Sequence, residues 1–198
     1  CSVHSMAAWY GHADVCITEI DILKDPVAHD MLIKSNKANL MTHIYAGEFH
    51  AAFLTPACSS WSRVRFAPHG PKPVRNHANP RGFPWLLGAP LEECTVANEL
   101  VDLVIELAYA MHSVKGQYLI EHPEDLGSTR EGHMPASIWQ LPTVRNLATE
   151  TQAHTAAIFQ CSPPGSRDEP GDIRKPTRFL GTASALAAAP FTGWPQFN

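Results

Sequence analysis

The chain has 198 residues, 44% apolar and 17% charged, with a formal net charge of −4. That apolar share can bury a core in a chain this long, and the acidic balance excludes a globally basic nucleic-acid binder while leaving local basic patches open. No stretch approaches the roughly 20 apolar residues that span a bilayer, so no membrane partner is expected.

In chain order, "ADVCITEIDI" (13–22) reads as a buried strand with Glu19 and Asp21 at its far end. "DPVAHDMLIKSNKANL" (25–40) reads as a helix, with Asp25 as N-cap and Pro26 in the first helical position. "HAAFLTP" (50–56) is a short buried strand ended by Pro56, and residues 63–90 form a long Pro/Gly-rich loop. Residues 91–113 give the clearest helix: Leu100, Leu103, Val104, Leu107 and Met111 share one face, and Glu99, Asp102 and Glu106 another. "GQYLIEHP" (116–123) is a strand, "PASIWQLPTVRNLA" (135–148) one or two short helices broken near Pro142, and "HTAAIFQC" (154–161) and "PTRFLGTA" (176–183) two more strands.

Alternating strands and helices predict an α/β fold over residues 1–198 as one domain, with a mainly parallel sheet and helices on both faces. Ligands of such sheets bind beyond the carboxyl ends of the strands. Here those ends carry Glu19 and Asp21, then Cys58, then Glu121. Three strands therefore deliver chemically capable residues to one edge.

Five widely spaced cysteines (1, 16, 58, 94 and 161) with no C-x-x-C pair argue against a disulfide framework and for a reducing, intracellular compartment. Eleven histidines show no zinc-site spacing, and no metal is expected. Cys58, in "FLTPACSSWSR", is the candidate nucleophile, since a thiolate suits a loop above a sheet. Glu121 is a candidate acid or hydrogen-bond partner for substrate. From Arg63 to Arg81 five basic residues (Arg63, Arg65, Lys72, Arg75, Arg81) occur without an acid, a pattern suited to a nucleic-acid backbone. Arg174, Lys175 and Arg178 form a second cluster. A strand-end acid such as Glu19 can accept from ribose hydroxyls, but the Gly-rich turn that accompanies it is not present. The chain opens on Cys1 and not Met; a fragment or processed form lacking its first strand is expected.

"TPACSSWSR" resembles the Pro-Cys-x-x-Phe-Ser loop of DNA cytosine-5 methyltransferases, especially divergent phage and retroelement forms, and "LIEHPEDLG" resembles their Glu-Asn-Val or Glu-Asn-Pro motif. "CITEIDI" is similar to the acid motif of their second strand, and "RKPTRFLGT" to the basic segment before their last strand. The resemblance implies a Rossmann-like fold that uses S-adenosylmethionine, with DNA as partner and a monomeric chain. By motif, Cys58 would attack ring carbon six of cytosine, Glu121 would hold or protonate ring nitrogen three, and Arg178 would help hold the base. Glu19, Ile20, Asp21 and Pro56 would line the cofactor site, while Ser62, Arg63, Arg65 and Lys175 would face substrate. The chain departs from the pattern at Ala57 (Pro in the family), Trp61 (Phe) and His122 (Asn), and has no room for a separate target-recognition domain.

Two other readings stand beside this one. The first is a non-catalytic nucleic-acid-binding remnant of a retroelement methyltransferase. The second is a cysteine hydrolase, which needs a histidine within hydrogen-bond reach of Cys58; His122 and His154 are its candidates.

Overall fold

The computed structural model describes residues 16–161, 174–189 and 192–195, and the chain divides into two compact units, Cys1–Leu40 and Met41–Asn198.

In the first unit, residues 16–22 form no strand, and Ile17, Ile20 and Ile22 are exposed. An alternating pattern becomes a strand only with a ladder partner, and among the described residues nothing pairs with this segment. Residues 13–15 of the expected strand lie outside the described residues. The helix expected over 25–40 begins later, as α1 (Lys34–Tyr45), which runs on into the second unit. Asp25 accepts from the N–H groups of Val27 at 3.0 Å and Ala28 at 2.8 Å, but it closes a turn and caps no helix. Asp30 Oδ1 takes the Leu32 N–H at 2.9 Å, and Asn36 Nδ2 donates to the Val27 and Asp30 carbonyls. These side chains hold the backbone in turns until Lys34.

The second unit is α/β. Its described strands are β1 (Ala51–Leu54), β2 (Gln117–Pro123), β3 (His154–Cys161) and β4 (Arg174–Gly181), in the order β1-β2-β4-β3. The expected parallel pairing is found between β1 and β2; β4 inserts between β2 and β3 and runs antiparallel to both, so the described sheet is mixed and open. The other α-helices among the described residues are α2 (Ala89–Ser113) and α3 (Pro142–Glu150), each with Pro in its first turn.

α2 stops where it does because the Gly116 N–H bonds back to the Met111 carbonyl at 2.9 Å. A Cβ at Gly116 would sit 2.6 Å from the Met111 Cε and 3.2 Å from the Met111 carbonyl oxygen, so any larger residue there makes the Met111 side chain move. The core lies between α2, α3 and the sheet face carrying Tyr118, Ile120 and Leu180, each at most 1% exposed. The Tyr118 hydroxyl meets Thr151 Oγ1 at 2.6 Å, which satisfies the one polar atom that this ring takes inside. The other face carries Phe53 and Phe179, stacked with centroids 6.4 Å apart, and Phe53 remains 62% exposed.

Candidate active site at the strand ends

β1 and β2 run parallel, with Leu54 opposite Ile120. The loop after β1 and the last residues of β2, Glu121 to Pro123, which pair with β4 alone, therefore lie at the same end of the sheet. Pro56 is buried and ends the strand; Cys58 is half-buried and opens a short 3-10 helix, Ser59–Trp61. The Trp61 N–H closes that turn on the Cys58 carbonyl at 3.0 Å. Ser62 Oγ accepts from the Val64 N–H at 3.3 Å and starts the next turn.

Two contacts tie this loop to the chain beyond Glu121. Arg63 donates to the carbonyls of Gly127 and Ser128, each at 2.6 Å. Trp61 meets His122 edge to face, with centroids 6.2 Å apart. The cysteine loop and the "EHPEDLGS" segment, far apart in the chain, are thus one local structure.

Glu121 and His122 face opposite sides of β2. On the Glu121 side, Lys175 Nζ approaches Glu121 Oε1 at 3.3 Å. On the His122 side lies Arg178, its partner in register. Arg178 donates to both carboxylate oxygens of Glu124, at 2.8 and 2.7 Å, and to Thr155 Oγ1 at 3.0 Å. The Arg178 side chain is 4% exposed and that of Glu124 9%. The cation beside Glu121 is therefore Lys175, and Arg178, assigned to the target base by motif, is held by Glu124. Strand alternation separates the two roles: Lys175 and Arg178 sit an odd number of residues apart on β4.

The basic run from Arg63 to Arg81 is largely committed to the protein itself. Arg65 pairs with Glu93 and donates to the carbonyls of Ser59 at 2.8 Å and Lys72 at 2.9 Å. Arg81 forks onto Asp102 at 3.0 and 2.7 Å. Arg75, 1% exposed, donates to the carbonyls of Pro80 (2.8 Å) and Cys94 (3.2 Å), and to Asn98 Oδ1 (2.8 Å) and Ser60 Oγ (3.0 Å). A Pro-rich loop has few ladders of its own, and its carbonyls need donors; the forked guanidinium supplies several at once. Burial pulls the Arg75 pKa down to about 10, so it still carries its charge at neutral pH.

Trp139 escaped the sequence reading, and Arg75 and His122 entered it in other roles, as a loop cation and as a possible base for Cys58. The Arg75 guanidinium stacks on Trp61 at 3.8 Å, and His122 lies between Trp61 and Trp139. Burial, with Lys175 and Arg75 adding repulsion, holds the His122 pKa down to about 3. Neither His122 ring nitrogen has a hydrogen-bond partner among the described residues, so His122 does not serve Cys58 as a base in this arrangement. His154 opens β3, at the far side of the sheet from β1. The signal for His122 was present in the sequence, since it and Trp61 are both departures from the motif that each resembles.

In the first unit, Glu19 is exposed and pairs with Lys24, and Asp21 Oδ1 accepts the Leu23 N–H at 2.9 Å. Ile20 is 38% exposed. A wide groove of about 650 Å³ runs along α2, lined by Tyr45, Asp102, Ile105, Tyr109 and Thr143, and contains none of the catalytic, cofactor or substrate candidates read from sequence. Among the described residues, no group of three or more His, Cys, Asp or Glu is gathered for a metal ion, and no helix is long and apolar enough to cross a membrane.

Comparison with known proteins finds no match to a family model, a curated protein or a solved structure.

Proposed function

We propose that the chain is a DNA cytosine-5 methyltransferase-like domain of Rossmann-like ancestry, with Cys58 as nucleophile and Glu121 as its partner on the base. The observation that carries this reading is the shared end of the sheet: the loop bearing Cys58 follows β1, and Glu121 is the first residue of β2 beyond its parallel pairing with β1. The basic segment of β4 supports it, since Lys175 reaches Glu121 although 54 positions separate them in the chain.

S-adenosylmethionine supplies an electrophilic methyl group in this reading. Glu19 is the residue to hold it through a ribose hydroxyl. Its surface pairing with Lys24 contributes no more than about 1 kcal/mol, which leaves the carboxylate open to a ligand. Asp21 is already used by its own turn.

The Cys58 thiolate adds to carbon six of an extruded cytosine, and carbon five becomes an enamine-type nucleophile that takes the methyl group. Glu121 protonates ring nitrogen three as the thiolate adds, which drains charge from the ring. A base then removes the proton on carbon five, ring nitrogen three returns its proton to Glu121, and the thiolate leaves as the carbon five–carbon six double bond re-forms. The alternative, a DNA-binding remnant without catalysis, leaned on the basic loop; the internal pairing of Arg65, Arg75 and Arg81 weakens it.

Calorimetric titration with S-adenosylmethionine tests the cofactor part. Saturable binding that weakens in Glu19→Ala supports the reading. Binding unchanged by that substitution, or no binding, speaks against Glu19 as the ribose partner.

A further inference from the structure

The two side chains that break the motif pattern, Trp61 and His122, touch each other, at 6.2 Å between centroids and 84° between planes. They are the middle of a row. Arg75 lies over Trp61 at 3.8 Å, and Trp139 meets the other side of His122 at 6.1 Å. The row draws together the Pro-rich loop, the cysteine loop, the end of β2 and the 3-10 turn Ile138–Gln140.

Trp61 Nε1 and both His122 nitrogens are buried and have no hydrogen-bond partner among the described residues. Both side chains line the same small cavity, with Arg63, Glu124 and Ser137 at its walls. Its volume, about 30 Å³, exceeds the roughly 10–15 Å³ that one water needs. Buried polar atoms in native proteins are satisfied by protein or by ordered water, and this cavity is polar enough to hold one. An indole N–H can only donate, whereas a neutral imidazole keeps one lone pair. One water accepting from Trp61 and donating to His122 satisfies Trp61 Nε1 and one of the two His122 nitrogens.

We propose that Trp61 and His122 are a positioning pair which, through one water held between them, seats the Cys58 loop on the end of β2. The pair stands in for the family's Phe and Asn at these positions: a ring contact and a water take the place of a side-chain amide. That the seated thiol is a nucleophile toward cytosine rests on the function proposed above; the seating itself does not.

The test is the rate at which iodoacetamide alkylates Cys58 in the full chain, followed peptide by peptide by mass spectrometry. Cys94, 1% exposed beneath Arg75, is the internal control for general loosening. Trp61→Phe and His122→Phe are each expected to raise Cys58 alkylation about tenfold with Cys94 still protected, and the double variant to exceed neither by more than about twofold, because the two act as one unit. Rates within about twofold of the parent in both single variants, or effects that multiply in the double, overturn the proposal. So does a parallel rise at Cys94, which marks lost packing. Should His122→Phe fail to fold, His122→Gln gives the same reading, since it keeps a polar group but not the ring. The assay needs neither cofactor nor DNA, so failure of the methyltransferase reading leaves it unmoved.

Discussion

Arg178 and Glu124 form a forked ion pair, with Nη2 to Oε2 at 2.7 Å, and both side chains are almost wholly withdrawn from water. The pair locks the segment after Glu121 to β4, and so fixes one wall of the candidate site. A charge buried this way depends on its partner. Arg178→Met or Glu124→Gln alone is expected to cost about 3–5 kcal/mol in urea unfolding, and Arg178→Met with Glu124→Leu much less. A cost below about 1 kcal/mol for either single change would mean that the pair behaves as a surface contact.

Arg75 holds the cysteine loop from the other side. It bonds Ser60 and stacks on Trp61, the residues that close the turn after Cys58. Lysine keeps the charge and loses the fork and the planar stack. Arg75→Lys is expected to cost roughly 2 kcal/mol or more, from lost hydrogen bonds and the cation–π contact. Thermal melting measures it; a variant as stable as the parent contradicts the clamp.

His122 makes stability depend on pH with a definite sign. Its pKa lies at about 3 in the folded chain against 6.5 in the unfolded one. The unfolded state therefore binds the extra proton between those values. The contribution is fully present above about pH 6.5 and falls by up to about 1.4 kcal/mol per pH unit as the solution is acidified toward 3. Lys175 and Arg75 reinforce the shift, and burial leads it. Urea unfolding at several pH values is expected to show a shallower acid limb in His122→Phe than in the parent. Equal slopes would mean that His122 takes up its proton without leaving the fold.

The local elements were largely legible. Residues 91–113 show helical spacing and the helix runs over 89–113; the strand read at 116–123 is 117–123. Periodicity reports which face is apolar, but not which strand lies alongside or in which direction. The antiparallel insertion of β4 between β2 and β3 was therefore not readable. The stretch over 16–22 carried a strand's pattern without a partner among the described strands.

One placement was legible for a physical reason. Cys58 and Glu121 both follow apolar runs, and the parallel pairing of β1 and β2 sets both toward the same end of the sheet. The arginines misled because charge is visible in a sequence and the partner is not. Arg63, Arg65, Arg75 and Arg81 read as an open basic patch, yet all four are spent on carbonyls, carboxylates or a tryptophan face. The same holds for Arg178: its motif position pointed to a base, and its register with His122 turned it toward Glu124.

The central claim is that the Cys58 thiol attacks cytosine. The most direct measurement is covalent capture on DNA carrying 5-fluorocytosine with S-adenosylmethionine present, read as a band that survives denaturation. Fluorine on carbon five cannot leave as a proton, so the thiolate stays bonded to carbon six. The account predicts an adduct in the parent chain that maps to Cys58, is lost in Cys58→Ser and is strongly reduced in Glu121→Gln. An adduct that persists in Cys58→Ser, or no adduct in a parent chain shown to bind the cofactor, would contradict it.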